Sequence, residues 1–212
     1  MDEILNRLSS RQSDRTENSN RKVATICVEN PALLNAISSG FESSDRKLKS
    51  DCIEVFTMVS EKTPEEVAPF FPKISKMIFE RDNKTRWEAV HTLSFITSLV
   101  PHEIKTILPD LAEMIEKDNS VIVRDYALDI VARYAGSGAK EAAESFPILV
   151  SALDIWEERH AKQVFNGFIN IIKHQPALKS KIKSISEQYT ECKKKLAADL
   201  AKKILKLIEN VK

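Results

Sequence analysis

The chain has 212 residues, 42% of them hydrophobic and 30% charged, which is enough apolar material for a real core and too much for a disordered polymer. Only 4 glycines are present, so the tight turns of a many-stranded β fold are mostly missing, while abundant Leu, Ile, Ala, Lys and Glu favour helix. A formal net charge of +1 argues against a nucleic-acid partner for the chain as a whole.

The opening segment, MDEILNRLSS, is acidic and amphipathic and lacks the basic and apolar regions of a secretory signal. Residues 2–10 can form a short helix, and Ser9 to Asn20 reads as a polar loop. Residues 21–29 read as a helix ended by the Asn30-Pro31 step. Residues 1–30 are therefore expected to be a degenerate N-terminal helical unit with a polar loop.

From residue 31 onward the chain repeats itself. Pro72, Pro109 and Pro147 are separated by 37 and 38 residues, each near the expected start of a helix: FPKISKMIFE, LPDLAEMIEK and FPILVSALDI. A polar break follows each, then a second amphipathic stretch: RWEAVHTLSFITSLV, RDYALDIVARYA and HAKQVFNGFINIIK. The second stretches align in register. One column reads Ile53, Val90, Leu128, Val164 and Ala201, with steps of 37, 38, 36 and 37. Three residues on, a second column reads Phe56, Leu93, Val131, Gly167 and Ile204; one residue before the first, a third reads Cys52, Ala89, Ala127, Gln163 and Leu200. Positions three and four apart share a helix face, so these columns predict a continuous core between stacked hairpins. Asp82 and Asn83 precede Arg86, Asp118 and Asn119 precede Arg124, and Asp45 precedes Lys47, placing capping side chains at the second helices.

A period near 37–38, a proline in the first helix, an Asp in the turn and an Arg opening the second helix resemble HEAT repeats. The resemblance covers roughly residues 31–212 and implies an all-α, right-handed superhelix of about five antiparallel helix pairs. The units fall at about 31–62, 67–100, 104–136, 144–174 and 178–212. The match is best in 67–100 and 104–136. It weakens in the fourth unit, where His160 takes the Arg position, and the fifth has neither Pro nor Arg. The resemblance also implies that turn Asp and helix Arg pair between adjacent units as a ladder, a role carried here only to Asp82, Arg86, Asp118 and Arg124.

No motif carries catalytic chemistry. His91, His102, His160 and His174 have no His or Cys three or four residues away, so no metal site is expected. Gly136-Ser137-Gly138 reads as a helix stop and turn, not a phosphate loop. Cys27, Cys52 and Cys192 form no CxxC pair or disulfide framework. No apolar run approaches the roughly 20 residues of a membrane span, and the chain reads as cytoplasmic. No cofactor is expected.

In the family the second helices line the concave surface. Opposite the core columns lies a stripe that includes Trp87, His91 and Phe95, then Asp125, Asp129 and Arg133, then Phe165. Large apolar groups beside charges suit a docked peptide or protein. The same aromatics could instead bury against the first helices. Charge is divided along the chain: residues 173–212 hold 11 Lys against 4 acids, a surplus of +7, which leaves −6 for the rest. Lys195, Lys202 and Lys206 share one side of the last helix, as a basic patch or the soluble face of a capping helix. The expected function is a non-enzymatic protein-binding or scaffolding module with a protein or peptide partner. The alternative is a DNA-binding or DNA-repair protein resembling the HEAT-type alkylpurine DNA glycosylases, which the acidic mid-chain stripe disfavours.

Overall fold

The computed structural model describes residues 3–156 and 159–210. Among these, every regular element is a helix. The chain divides into two compact units, Met1–Glu103 and Ile104–Lys212.

The N-terminal unit opens with a 3-10 turn, Leu5–Arg7, and α1 (Asn18–Glu29). Then come α2 (Leu34–Ser39), α3 (Arg46–Ser60), α4 (Pro64–Val67), α5 (Phe71–Met77) and α6 (Asn83–Ile96). Helix α3 packs against both α1 and α6, while α2 lies against α3 and α5 against α6. So α1, α3 and α6 form a row, and α1 stands where the second helix of a preceding pair would stand. Two caps start that row as the sequence suggests. Asp45 accepts from the Lys47 and Leu48 amides at 3.0 and 3.4 Å, and Asp82 accepts from the Thr85 amide at 2.8 Å.

A short helix, α7 (Pro101–Thr106), spans the division. The C-terminal unit continues with α8 (Leu108–Lys117), α9 (Val121–Tyr134), α10 (Ala139–Ile155), α11 (Ala161–His174), α12 (Lys179–Tyr189) and α13 (Lys195–Asn210). Helix α11 packs against both α9 and α13; α8, α10 and α12 pair with α9, α11 and α13.

All five residues of the first column and all five of the second are buried, and the third column is buried at Cys52, Ala89 and Ala127. Gly167 sits in an otherwise apolar column for a steric reason: a Cβ there would run into the Leu149 side chain and crowd Ala132, so α11 approaches its neighbours at the backbone.

Two local expectations change. Pro147 does not open a helix; α10 starts at Ala139, ahead of the expected boundary at residue 144, and runs through the proline. Before Pro72 the chain breaks into α4, a 3-10 turn and α5, and before Pro109 into α7 and α8, which spares those helices an interior proline. At α9 the cap is Ser120, which accepts from the Val123 amide at 3.4 Å, while Asp118 accepts from the Ser120 amide at 2.7 Å.

Candidate functional site

In the N-terminal unit, α3 and α6 are joined by the Thr57 and Thr92 hydroxyls, 2.8 Å apart. Trp87, His91 and Phe95 stand on α6 at helical spacing, and all three are half-buried. A hollow of about 260 Å³ lies on this face, lined by Met58, His91 and Phe95 together with Glu17, Glu54, Glu61 and Glu88 and the base Arg21. The Trp87 indole N–H donates to Glu88 Oε1 at 2.8 Å, and the His91 and Phe95 rings lie 5.0 Å apart at 32°. The surface joins aromatic faces to carboxylates, which is a chemistry for cationic side chains.

One end of this face holds a buried polar network. Glu54 is 3% exposed and accepts from Asn20 Nδ2 at 2.7 Å and Lys84 Nζ at 3.2 Å. Lys84 also reaches Glu17 at 3.0 Å. Burial pushes the Glu54 carboxyl up to about 7, against the pull of the Asn20 donor and the Lys84 charge. The Lys84 hydrogen bond holds Glu17 below its ordinary value; burial works against the Lys84 charge, but Glu17 and Glu54 raise its pKa. The expected polar loop is anchored here. The Ser9 amide donates to Asn20 Oδ1 at 2.8 Å, and the Ser10 amide donates to Asp51 at 2.6 Å.

In the C-terminal unit the expected stripe separates. Asp129 accepts from Arg133 Nε at 2.7 Å, an exposed pair on one helix face. Asp125 instead takes part in the join to the next helix pair, accepting from Gln163 Nε2 at 2.9 Å and lying 2.6 Å from His160 Nδ1. His160 is 1% exposed, and its Nε2 lies 3.2 Å from Arg124 Nε. An arginine N–H can only donate, so His160 Nε2 is the acceptor and Nδ1–H donates to Asp125. The Arg124 guanidinium also lies 3.7 Å over the Trp156 ring and donates to the Asp118 carbonyl. His160, in the arginine position of its repeat, is thus reached by the arginine of the preceding one. In the N-terminal unit Arg86 donates to the Glu80 carbonyl at 3.0 Å and to Asn83 at 3.2 Å.

Phe165 does not belong to an exposed stripe. It is fully buried, with T-shaped contacts to Phe168 at 5.7 Å and Tyr189 at 5.6 Å. The next helix pair brings Tyr189 over the position that stays half-exposed at His91 and Asp129. On α13, Lys195, Lys202 and Lys206 are exposed opposite buried Ala197, Ala201 and Ile204, and Lys202 pairs with Glu191 at 3.1 Å.

Among the described residues no group of three His, Cys, Asp or Glu side chains could hold a metal ion, and no helix is long and apolar enough to cross a membrane. Burial pushes the Cys27 and Cys52 thiols up to about 11 and 12, away from thiolate chemistry.

No protein-family model matches the chain, and no curated protein matches it in sequence. Solved structures do. A designed armadillo repeat protein in complex with the peptide (KR)4 is 15% identical, with 97% of this chain covered, 98% of that one and a TM-score of 0.76. Computationally designed armadillo repeat proteins for modular peptide recognition are 13% identical, with 96% and 97% covered and a TM-score of 0.72. A structure described as an engineered protein is 14% identical over 99% and 97% of the two chains, with a TM-score of 0.71. At these identities the likeness is one of fold, and the fold is that of an armadillo- or HEAT-like helical repeat.

Proposed function

We propose that this chain is a non-enzymatic binding module that holds an extended peptide through cationic side chains on the α3–α6 face of its N-terminal unit. The observation that carries the reading is the acidic hollow, where Glu17, Glu54, Glu61 and Glu88 stand with His91 and Phe95 against one base, Arg21, and Trp87 lies one turn before His91 on α6. Arg and Lys can stack on such rings and pair with such carboxylates. A row of parallel helices sets these side chains at regular intervals, which suits a chain with every second or third residue alike. A structural neighbour of this fold carries the peptide (KR)4, which agrees with the reading. On α9, Asp129 is available to the same kind of ligand once Arg133 is displaced. The exposed lysines of α13 serve as a solvated outer face. The chain's compartment is proposed as the cytoplasm.

The test is a titration with an alternating Lys-Arg peptide. Trp87→Ala with Phe95→Ala should weaken binding about tenfold or more, since interface aromatics each carry roughly 1–2 kcal/mol. Equal binding by wild type and variant removes the proposal. A DNA duplex at low salt serves as the comparison; salt-steep binding of the duplex, absent for the peptide, would favour the glycosylase-like alternative.

A further inference from the structure

A second hollow, about 560 Å³, opens where α3 and α6 begin and the loop before α1 folds over them. Its chemistry differs from that of the aromatic face. Arg15, Arg46 and Lys47 reach it from the loop and the first turn of α3. Among the described residues none of the three has a carboxylate partner for its side chain. The acids around the hollow, by contrast, are engaged. Asp51 accepts from the Ser10 amide and Asn20, Asp82 caps α6, and Asp14 accepts from the Thr16 and Ser19 amides. Lys84 is taken up by Glu17 and Glu54. The lining holds four acids and four bases, and Arg15, Arg46 and Lys47 are the bases left without a carboxylate partner among the described residues.

Hydroxyl donors are left over as well. Ser50 also lines the hollow, is only 7% exposed, and its Oγ is buried without a hydrogen-bond partner. Ser10, which also lines the hollow, has the same unanswered Oγ. A buried hydroxyl without a partner costs stability and is uncommon in a settled core. Glu17 and Ser13, the non-glycine residues with positive φ among the described residues, at 63° and 55°, border the same space. Backbone held in that region is costly and tends to be kept where a ligand is clamped.

We propose that this hollow is a binding site for a phosphate monoester, with Arg15, Arg46 and Lys47 answering its charge and the Ser50 and Ser10 hydroxyls donating to its oxygens. A phosphate offers three strong acceptors and close to two negative charges, which matches unpaired cations and orphaned hydroxyls. The volume leaves room for the group that carries the phosphate. The site is separate from the aromatic hollow and does not rest on the peptide reading.

Isothermal titration of the full chain tests it, with inorganic phosphate and with a phosphoserine-bearing peptide, at ionic strength matched by chloride. Saturable binding of both assigns the site to the phosphate itself, and tighter binding of the phosphopeptide adds its carrier chain. Arg46→Gln with Lys47→Gln, both exposed positions, should weaken binding about tenfold, the loss of one charge-assisted contact or more. Ser50→Ala should weaken it by about threefold or more while the unligated chain melts no lower than wild type, because a hydroxyl with no partner is removed. No binding beyond the chloride control overturns the proposal. So does equal affinity for the unphosphorylated peptide, unchanged affinity in both variants, or a lower melting temperature of unligated Ser50→Ala.

Discussion

The N-terminal unit closes its helix row around Asn20, Asp51, Glu54, Glu88 and a series of threonines and serines, while the C-terminal unit buries few polar side chains beyond Arg124 and His160. In the first, charge is held between elements by partners that do not fully answer it: Glu54 sits against Asn20 and Lys84 with its carboxyl raised to about 7. In the second, Phe165, Phe168 and Tyr134 fill the interior, and the Arg124–His160–Asp125 chain, buried at Arg124 and His160, is hydrogen-bonded at each link. A polar interior tolerates and invites ligands. Buried rings are as many in one unit as in the other, Phe41, Phe56 and Phe71 against Tyr134, Phe165 and Phe168, so the contrast lies in the polar groups. Under the proposed function the N-terminal unit does the binding, and the C-terminal unit supports it.

The largest expected effect tests the C-terminal unit. Phe165→Ala should destabilise the C-terminal unit by about 3–5 kcal/mol, because it leaves a cavity beside Phe168 and Tyr189. Chemical denaturation reads this directly, and a cost under about 1 kcal/mol would return Phe165 to the surface. Peptide binding to the surviving folded fraction should not change.

That residue also marks the limit of what the sequence discloses. The core columns were legible, since Ile53, Val90, Leu128, Val164 and Ala201 recur at one period and all are buried. Local periodicity fixes which side of a helix faces its own partner. It does not say what a neighbouring pair places over the opposite side. At Phe165 that is Tyr189, and at Glu54 it is Asn20, both from other elements. The loop before α1 was hidden for a similar reason. Its anchors join Ser9 to Asn20 and Ser10 to Asp51, pairs of polar residues with no periodic signature. In the sequence His160 takes the arginine position of its unit, and the partners contributed by α9 explain why it is buried.

On the polar side, Lys84→Met should cost about 1–3 kcal/mol, less than a fully buried pair because Lys84 is partly exposed. It leaves Glu54 buried beside Glu17 with no cation between them. A loss no larger than that of Lys117→Met, an exposed i,i+4 position, would show the network to be a surface feature after all.

The next effect is one of pH. Burial lifts Glu54 from an ordinary 4.5 to about 7, so its protonated form is favoured in the folded state. Its stabilising contribution is full below the ordinary value and is lost as pH rises through about 7. Glu17, lowered by the Lys84 hydrogen bond, runs the other way and weakens the unit only in acid. Between the two, stability of the N-terminal unit should fall as pH rises, by about 1–2 kcal/mol. Denaturation midpoints measured across that window should slope in wild type and lie flat in Glu54→Gln. Parallel slopes would remove the buried carboxyl as the cause.

The caps give a smaller and more even contrast. Asp82→Ala removes an acceptor for both the amide and the hydroxyl of Thr85, and Ser120→Ala removes a single acceptor at 3.4 Å. Losses of about 1–2 and about 0.5–1 kcal/mol are expected, in that order. A larger loss for Ser120→Ala would reverse the ranking of the two helix starts.

The smallest effect is the one most informative for binding. Asp129 and Arg133 pair across one turn of α9 with both side chains partly exposed to water. Solvent screening and side-chain entropy leave such pairs about 0.2–0.5 kcal/mol. Arg133→Ala should therefore leave the denaturation midpoint nearly where it was, while freeing Asp129 for a cationic ligand. Should the C-terminal unit take part in binding, the alternating Lys-Arg peptide will bind this variant more tightly than wild type, at no cost in stability. Should only the N-terminal unit bind, affinity will not move. In that case the comparison between the units becomes a division of labour: a unit that exchanges its internal polar partners for those of a ligand, and a unit whose exposed ion pairs, Asp129–Arg133 among them, are decoration on a closed core.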